Sequence, residues 1–240
     1  MSAPEIFRIG DDRLLCDEWH APTHTVVLRP GDPRERPHRA TIVGVIDELA
    51  GRGVDRVLTA ALDAACLEPF AAAGFTPHEE LCVLRHDLAR PIPQRDAPTR
   101  RGSTRRDLPD AARVDGRAFT TGTALDTGGL RAILAATPVC RFRLVDAGAS
   151  RHVAAYALCG FAGDTGYVQR VAVDPASRRH GYGRALLADA LRWFGRRHAV
   201  GVLVNTQVDN IAAQRLYLDS GFVPTTQRLA VWAWNRDRSR

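Results

Sequence analysis

Val171-Ala172-Val173-Asp174-Pro175-Ala176-Ser177-Arg178-Arg179-His180-Gly181-Tyr182-Gly183-Arg184-Ala185-Leu186-Leu187 reads as a strand, a short polar turn and the start of a helix with a glycine-rich first turn. That pattern suits a phosphate. Without Cβ atoms at Gly181 and Gly183, the backbone can come within hydrogen-bonding distance of an anion. The free N–H groups and the positive end of the helix then stabilise it. Arg178, Arg179 and Arg184 add charge-assisted donors around the same spot, which favours a polyphosphate.

Exclusion narrows the ligand. A nucleotidase P-loop requires G-x-x-x-x-G-K-[ST], and this chain has no lysine. A dinucleotide fingerprint needs a small residue three positions after the second glycine, where Leu186 stands. What remains is R-x-x-G-x-G, carried by Arg178, Gly181 and Gly183 after a Val-Ala-Val strand end. Further along, Gly201 to Thr206 reads as a strand and Asp209 to Ser220 as a helix closed by Gly221. Its N-x-x-A-x-x-L-Y spacing sets Asn210, Ala213 and Tyr217 on one helical face, with Asp209 as the expected cap.

These two motifs, in this order, resemble those of the GNAT superfamily of acyl-CoA N-acyltransferases, and the resemblance runs from about Arg101 to Trp234. It implies a mixed, mostly antiparallel α/β sheet flanked by helices, with acetyl-CoA as acyl donor. It further implies that Arg178, Arg179, Gly181, Tyr182, Gly183 and Arg184 hold the pyrophosphate, and that the pantetheine arm pairs with the backbone of Val171, Ala172 and Val173. Asn210 would contact the cofactor arm, and Tyr217 would protonate the departing thiolate. The implied reaction is direct attack of an uncharged amine on the thioester within a ternary complex, with no metal ion. Two positions depart from the family. Relatives place a glutamate base on one of two strands, where this chain has Asn205 and Gln169. Neither amide accepts a proton at neutral pH. A water chain, Asp209, His180, His152 or a carboxylate from the N-terminal region remain as candidates.

The chain of 240 residues is 45% hydrophobic, enough for one large core or two modest ones. Cys16, Cys66, Cys82, Cys140 and Cys159 are scattered, without C-x-x-C or zinc spacing, and read as small core residues in a reducing compartment. Cys159 lacks a histidine partner and reads as core, not nucleophile. With no apolar run of membrane-spanning length, the sequence predicts a soluble, cytoplasmic protein. The net charge is +6, all of its strong bases being arginine. These arginines are dispersed, which fits GC-rich codon usage better than a nucleic-acid footprint. A lysine acceptor must therefore belong to another molecule.

Arg90 to Ser103 is rich in proline and charge and reads as a linker. Before it, residues 1–89 hold a partial repeat. Laying Gly74-Phe75-Thr76-Pro77 over Gly221-Phe222-Val223-Pro224 also matches Thr59 to Thr206, Ala65 to Ala212 and Phe70 to Tyr217 without a gap. The expected elements are a helix over His38 to Arg52, a strand over Val54 to Thr59, a helix over Asp63 to Ala73 and a strand over Glu79 to His86. This resembles the back half of a second GNAT-like fold, degenerate because Phe70 replaces the tyrosine, Asp63 replaces the asparagine, and Arg29 to Pro37 has no G-x-G. Residues 104–240 would then be the catalytic domain. They are expected to contain a helix from Asp107, as its acidic cap, to Phe119, a helix over Gly129 to Ala136, strands over Val139 to Val145, Val153 to Cys159 and Gly166 to Val173, and the motifs above. Trp193, Phe194, Trp232 and Trp234 read as core. Acceptor choice would lie in Phe119 to Gly129 and the N-terminal copy, with the acceptor amine unidentified. A coenzyme-binding sensor without turnover is the alternative function, and a nucleic-acid-associated protein is a third.

Overall fold

In the computed structural model, residues 4–19, 24–32, 35–92, 97–119, 123–148 and 152–236 are described. Parts of the expected linker (93–96), of Arg29 to Pro37 (33–34) and of the Phe119 to Gly129 segment (120–122) lie outside them. The chain forms two units, Met1–Cys82 with Thr226–Arg240, and Val83–Thr225.

The first unit contains β1 (Glu5–Ile9), β2 (Asp12–Glu18), β3 (Thr25–Pro30), α1 (Arg39–Gly51), β4 (Arg56–Thr59) and α2 (Ala64–Ala72). It also takes the first part of β5 (Thr76–His86) and most of β11 (Val223–Asn235). Its strand order is β1-β2-β3-β4-β11-β5. β3 and β4 are parallel, whereas β1/β2, β2/β3 and β4/β11 are antiparallel. The helix α1 buries Ile42, Val45, Ile46 and Leu49 at helical spacing against Leu14, Leu28, Val57 and Phe70. Trp232 and Trp234 pack on this core. The three strands before α1 have no counterpart in the sequence expectation.

The second unit contains the end of β5, β6 (Arg100–Arg101), α3 (Leu108–Ala118), α4 (Thr127–Ala135), β7 (Val139–Ala147), β8 (His152–Ala162), β9 (Thr165–Val173), α5 (Tyr182–Gly195), β10 (Gly201–Gln207) and α6 (Ile211–Asp219). Its strands run β5-β10-β9-β8-β7-β6, antiparallel from β6 to β9 and parallel between β9 and β10. β8 is buried continuously from Val153 to Gly160, as a central strand covered on both faces should be. Both units are thus mixed α/β, mostly antiparallel and flanked by helices.

Three expectations need correction. The stretch read as a linker supplies β6, which pairs Arg100 with Leu144, while Thr99 accepts from Arg143 at 2.7 Å through its carbonyl. Backbone pairing holds this polar segment that apolar periodicity missed. Asp107 sits at the N-cap of α3, but its carboxylate accepts from Ser103 N (2.7 Å) and Arg100 Nη1 (3.0 Å) instead of capping the helix. Cys140 is exposed, unlike the other four cysteines.

Candidate active site

The parallel ladder between β9 and β10 spans only Gly201↔Thr165 to Leu203↔Tyr167. Beyond it, β9 continues to Val173 and β10 to Gln207 outside that ladder. The other edge of β9 stays paired to β8 through Ala155↔Val173, with a bulge that leaves Gln169 outside the register. The two strands therefore part towards their C-terminal ends, leaving this edge of β9 outside the β9/β10 ladder. Val171 and Val173 are half-buried and Ala172 is buried along it.

The turn after β9 is firmly held. The buried Asp174 accepts from Ala176 N at 3.0 Å and pairs with Arg113 and Arg117 of α3, each at 3.3 Å. Arg178, Arg179, His180 and Arg184 are exposed around it, with His180 stacked on Tyr182 at 5.6 Å. Gly181 is the N-cap of α5 with φ +74°, and Arg179 also adopts a left-handed φ of +69°. The first helical bond is Ala185 N to Gly181 O, so the N–H groups of Tyr182, Gly183 and Arg184 precede the intrahelical ladder. Gly183 has a second reason to lack a side chain, because a Cβ there would lie 3.0 Å from Leu216 Cδ2 of α6.

At α6 the cap differs from expectation. Asn210, not Asp209, occupies the N-cap and accepts from Ala213 N at 3.1 Å, three residues on, while the Asp209 carbonyl accepts from Ile211 N. The Asn210 amide therefore turns back onto the helix end. Tyr217 is buried, with its ring 5.7 Å from Phe222. Burial drives its phenol well above the usual tyrosine range, the neighbouring Cys159 adds to this, and Arg170 opposes it. Cys159 is itself buried, its thiol pushed up to about 12 by burial, which suits a core residue.

Of the possible bases, Asn205 is exposed on β10. Gln169 donates through Nε2 to Ile133 O of α4 at 3.2 Å, while its Oε1 is buried without a partner among the described residues. Sequence reasoning missed a buried cluster beside it. Asp115 of α3 is fully buried and receives bonds from Arg170 Nε and Nη2 (2.8 Å each), from Leu125 N (2.6 Å) and from the Tyr156 hydroxyl. The available signal was a carboxylate seven residues after Leu108, on the apolar face of α3. Among the described residues, no group of three or more metal-ligating side chains is gathered.

Residues 125–222 match the family model described as Acetyltransferase (GNAT) family. That match falls within the second unit. No curated protein sequence matches the chain. Among solved structures, a tandem GNAT protein from the clavulanic acid biosynthesis pathway is similar at TM-score 0.67 and 16% identity, covering 97% of this chain and 82% of that one. A GCN5-related N-acetyltransferase from Sphaerobacter thermophilus is similar at TM-score 0.65 and 16% identity, covering 93% and 76%. One from Kribbella flavida is similar at 0.66 and 13%, covering 99% and 91%. These likenesses concern fold.

Within the N-terminal unit the repeat is visible atom by atom. α2 and α6 are each nine residues long. Asp63 caps α2 through Cys66 N at 3.0 Å, as Asn210 caps α6. Phe70 meets Phe75 edge-on at 5.3 Å, as Tyr217 meets Phe222. Gly74 (φ +92°) and Gly221 (φ +91°) close the two helices alike. One difference decides what the first copy can hold. Its parallel strands pair from Thr25↔Arg56 to Leu28↔Thr59, and Ala60 N continues to Leu28 O. Thr59 matches Thr206, so the ladder occupies the stretch that lies outside the β9/β10 ladder in the second unit.

Proposed function

We propose that the protein is an acetyl-CoA-dependent N-acetyltransferase that acetylates an amine of a peptide, protein or small molecule by direct transfer in a ternary complex. The observation that carries this reading is the parting of β9 from β10 just before the glycine-rich turn. An extended arm can add to the open edge of Val171, Ala172 and Val173 as a strand does, while its phosphates meet the amides of Tyr182 to Arg184 and the guanidinium groups of Arg178, Arg179 and Arg184. Acetyl-CoA supplies the thioester carbonyl. A backbone N–H of β9 would hold the oxygen on which charge develops. The Tyr217 phenol, raised by burial, stays protonated near neutral pH and can deliver its proton to a leaving thiolate. Asn210 would border the arm from the start of α6. The amine loses its proton to water or to a group not yet identified.

The amides at 169 and 205 favour a second reading, a coenzyme-binding module without turnover. The melting temperature with and without acetyl-CoA comes first, for wild type and an Arg178→Ala, Arg179→Ala, Arg184→Ala variant. Ligand at about 100 times its dissociation constant adds roughly 2.7 kcal/mol, a shift of several degrees. The shift is expected in wild type and reduced in the variant; its absence from wild type overturns the coenzyme site. Thiol release with a panel of amines then separates the two readings, since the binding module predicts a shift without release.

A further inference from the structure

We infer that Arg170 and Asp115 form a positioning clamp that sets the acceptor side of the site, an inference that rests on the acetyltransferase reading. Arg170 lies on β9 immediately before Val171, past the point where the β9/β10 ladder ends. Its guanidinium grips Asp115 with a two-pronged bond, 2.8 Å on each prong. The same Nη2 reaches Thr123 O at 2.7 Å, and the guanidinium lies over the Phe119 ring at 3.6 Å. Asp115 in turn receives Leu125 N, so this pair ties Phe119, Thr123 and Leu125, on the connection from α3 to α4, to the strand proposed to carry the cofactor arm. Tyr156 of β8 gives its hydroxyl to the other carboxylate oxygen. Each Asp115 oxygen thus has two donors.

Stability alone does not require such an arrangement. A buried ion pair can often be replaced by apolar residues of similar volume without loss. What apolar residues cannot supply is directed bonding to one carbonyl and one N–H of a loop. The clamp therefore acts on shape. It dictates how Phe119, Thr123 and Leu125 stand relative to β9, and hence how an amine approaches the thioester. It also sets a positive charge near Tyr217, against the effect of burial on that phenol.

The experiment compares wild type with Arg170→Lys, Asp115→Asn and the apolar pair Arg170→Met, Asp115→Leu, the last removing both charges so that neither is left buried alone. Acetyl-CoA affinity is read from the thermal shift, and kinetics from thiol release with the best amine of the panel, both substrates varied. The KM for the amine is expected to rise about tenfold or more in every variant, while the KM and affinity for acetyl-CoA stay within about twofold. An unchanged amine KM in the apolar pair overturns the clamp, as does an acetyl-CoA affinity that falls in step with it, since a merely structural defect would lower both. Where wild type acetylates no amine, acetyl transfer itself has failed and the clamp is read by hydrogen exchange. The Leu125 amide should then lose protection in the apolar pair, which removes its acceptor, while Ala185 to Leu187 of α5 keep theirs; protected Leu125, or uniform loss, overturns it.

Discussion

At the residue scale, Tyr217 and Cys159 lie near each other in the same buried region but differ in expected role. Replacing Tyr217 with Phe removes the proposed proton donor and keeps the ring against Phe222. Turnover should fall about 10²-fold, with the acetyl-CoA thermal shift retained. Full activity in steady-state thiol release would reassign the acid. Cysteine reactivity follows exposure. Cys140 should react rapidly with a thiol reagent in the native protein, while Cys16, Cys66, Cys82 and Cys159 react only on unfolding. Counting labelled thiols by mass spectrometry before and after denaturation tests this. Tyr217 was legible from its motif, whereas Asp115 was not, since its partners come from β8, β9 and the α3–α4 connection.

At the element scale, the two parallel strand pairs diverge. β4 stays paired to β3 through its last residue, Thr59, whereas β9 and β10 part, so the chain should bind one acetyl-CoA, not two. Isothermal titration giving two equivalents would overturn the reading of the first copy as non-binding. β9 and α5 are also tightly fitted at Gly166, where a Cβ would stand 2.5 Å from Phe194 Cδ1. Gly166→Ala should destabilise by about 1–3 kcal/mol through overpacking, visible as a lower urea midpoint with an unchanged slope. Nearly every helix and strand from Arg39 onward was readable from periodicity, caps and glycine stops. β1 to β3 and β6 were not. They are short or polar, and are held by strand pairing that local sequence does not encode.

At the scale of the whole molecule, a buried histidine should shape the acid limb of stability. His86 is fully buried; its Nδ1 accepts from Leu88 N at 2.9 Å, and its Nε2 has no partner among the described residues. Burial lowers its pKa below the ordinary 6.5, with Asp87 acting to raise it and Arg90 to lower it. The unfolded chain thus binds the proton more readily. This stabilisation is complete above about pH 6.5 and is lost as pH falls towards the folded value. Urea unfolding from pH 8 to 5 should show the decline, and His86→Leu should flatten it; equal slopes would remove His86 as the cause. The sequence by itself determined the family resemblance, the glycine-rich turn, the tyrosine helix and the repeat, because each is written in local spacing. Only the tertiary structure decided that β9 and β10 part before their C-terminal ends while β4 stays paired to β3 through Thr59, and that Asp115 meets Arg170. Both depend on backbone register and on long-range partners, and the same local pattern of residues is compatible with either outcome.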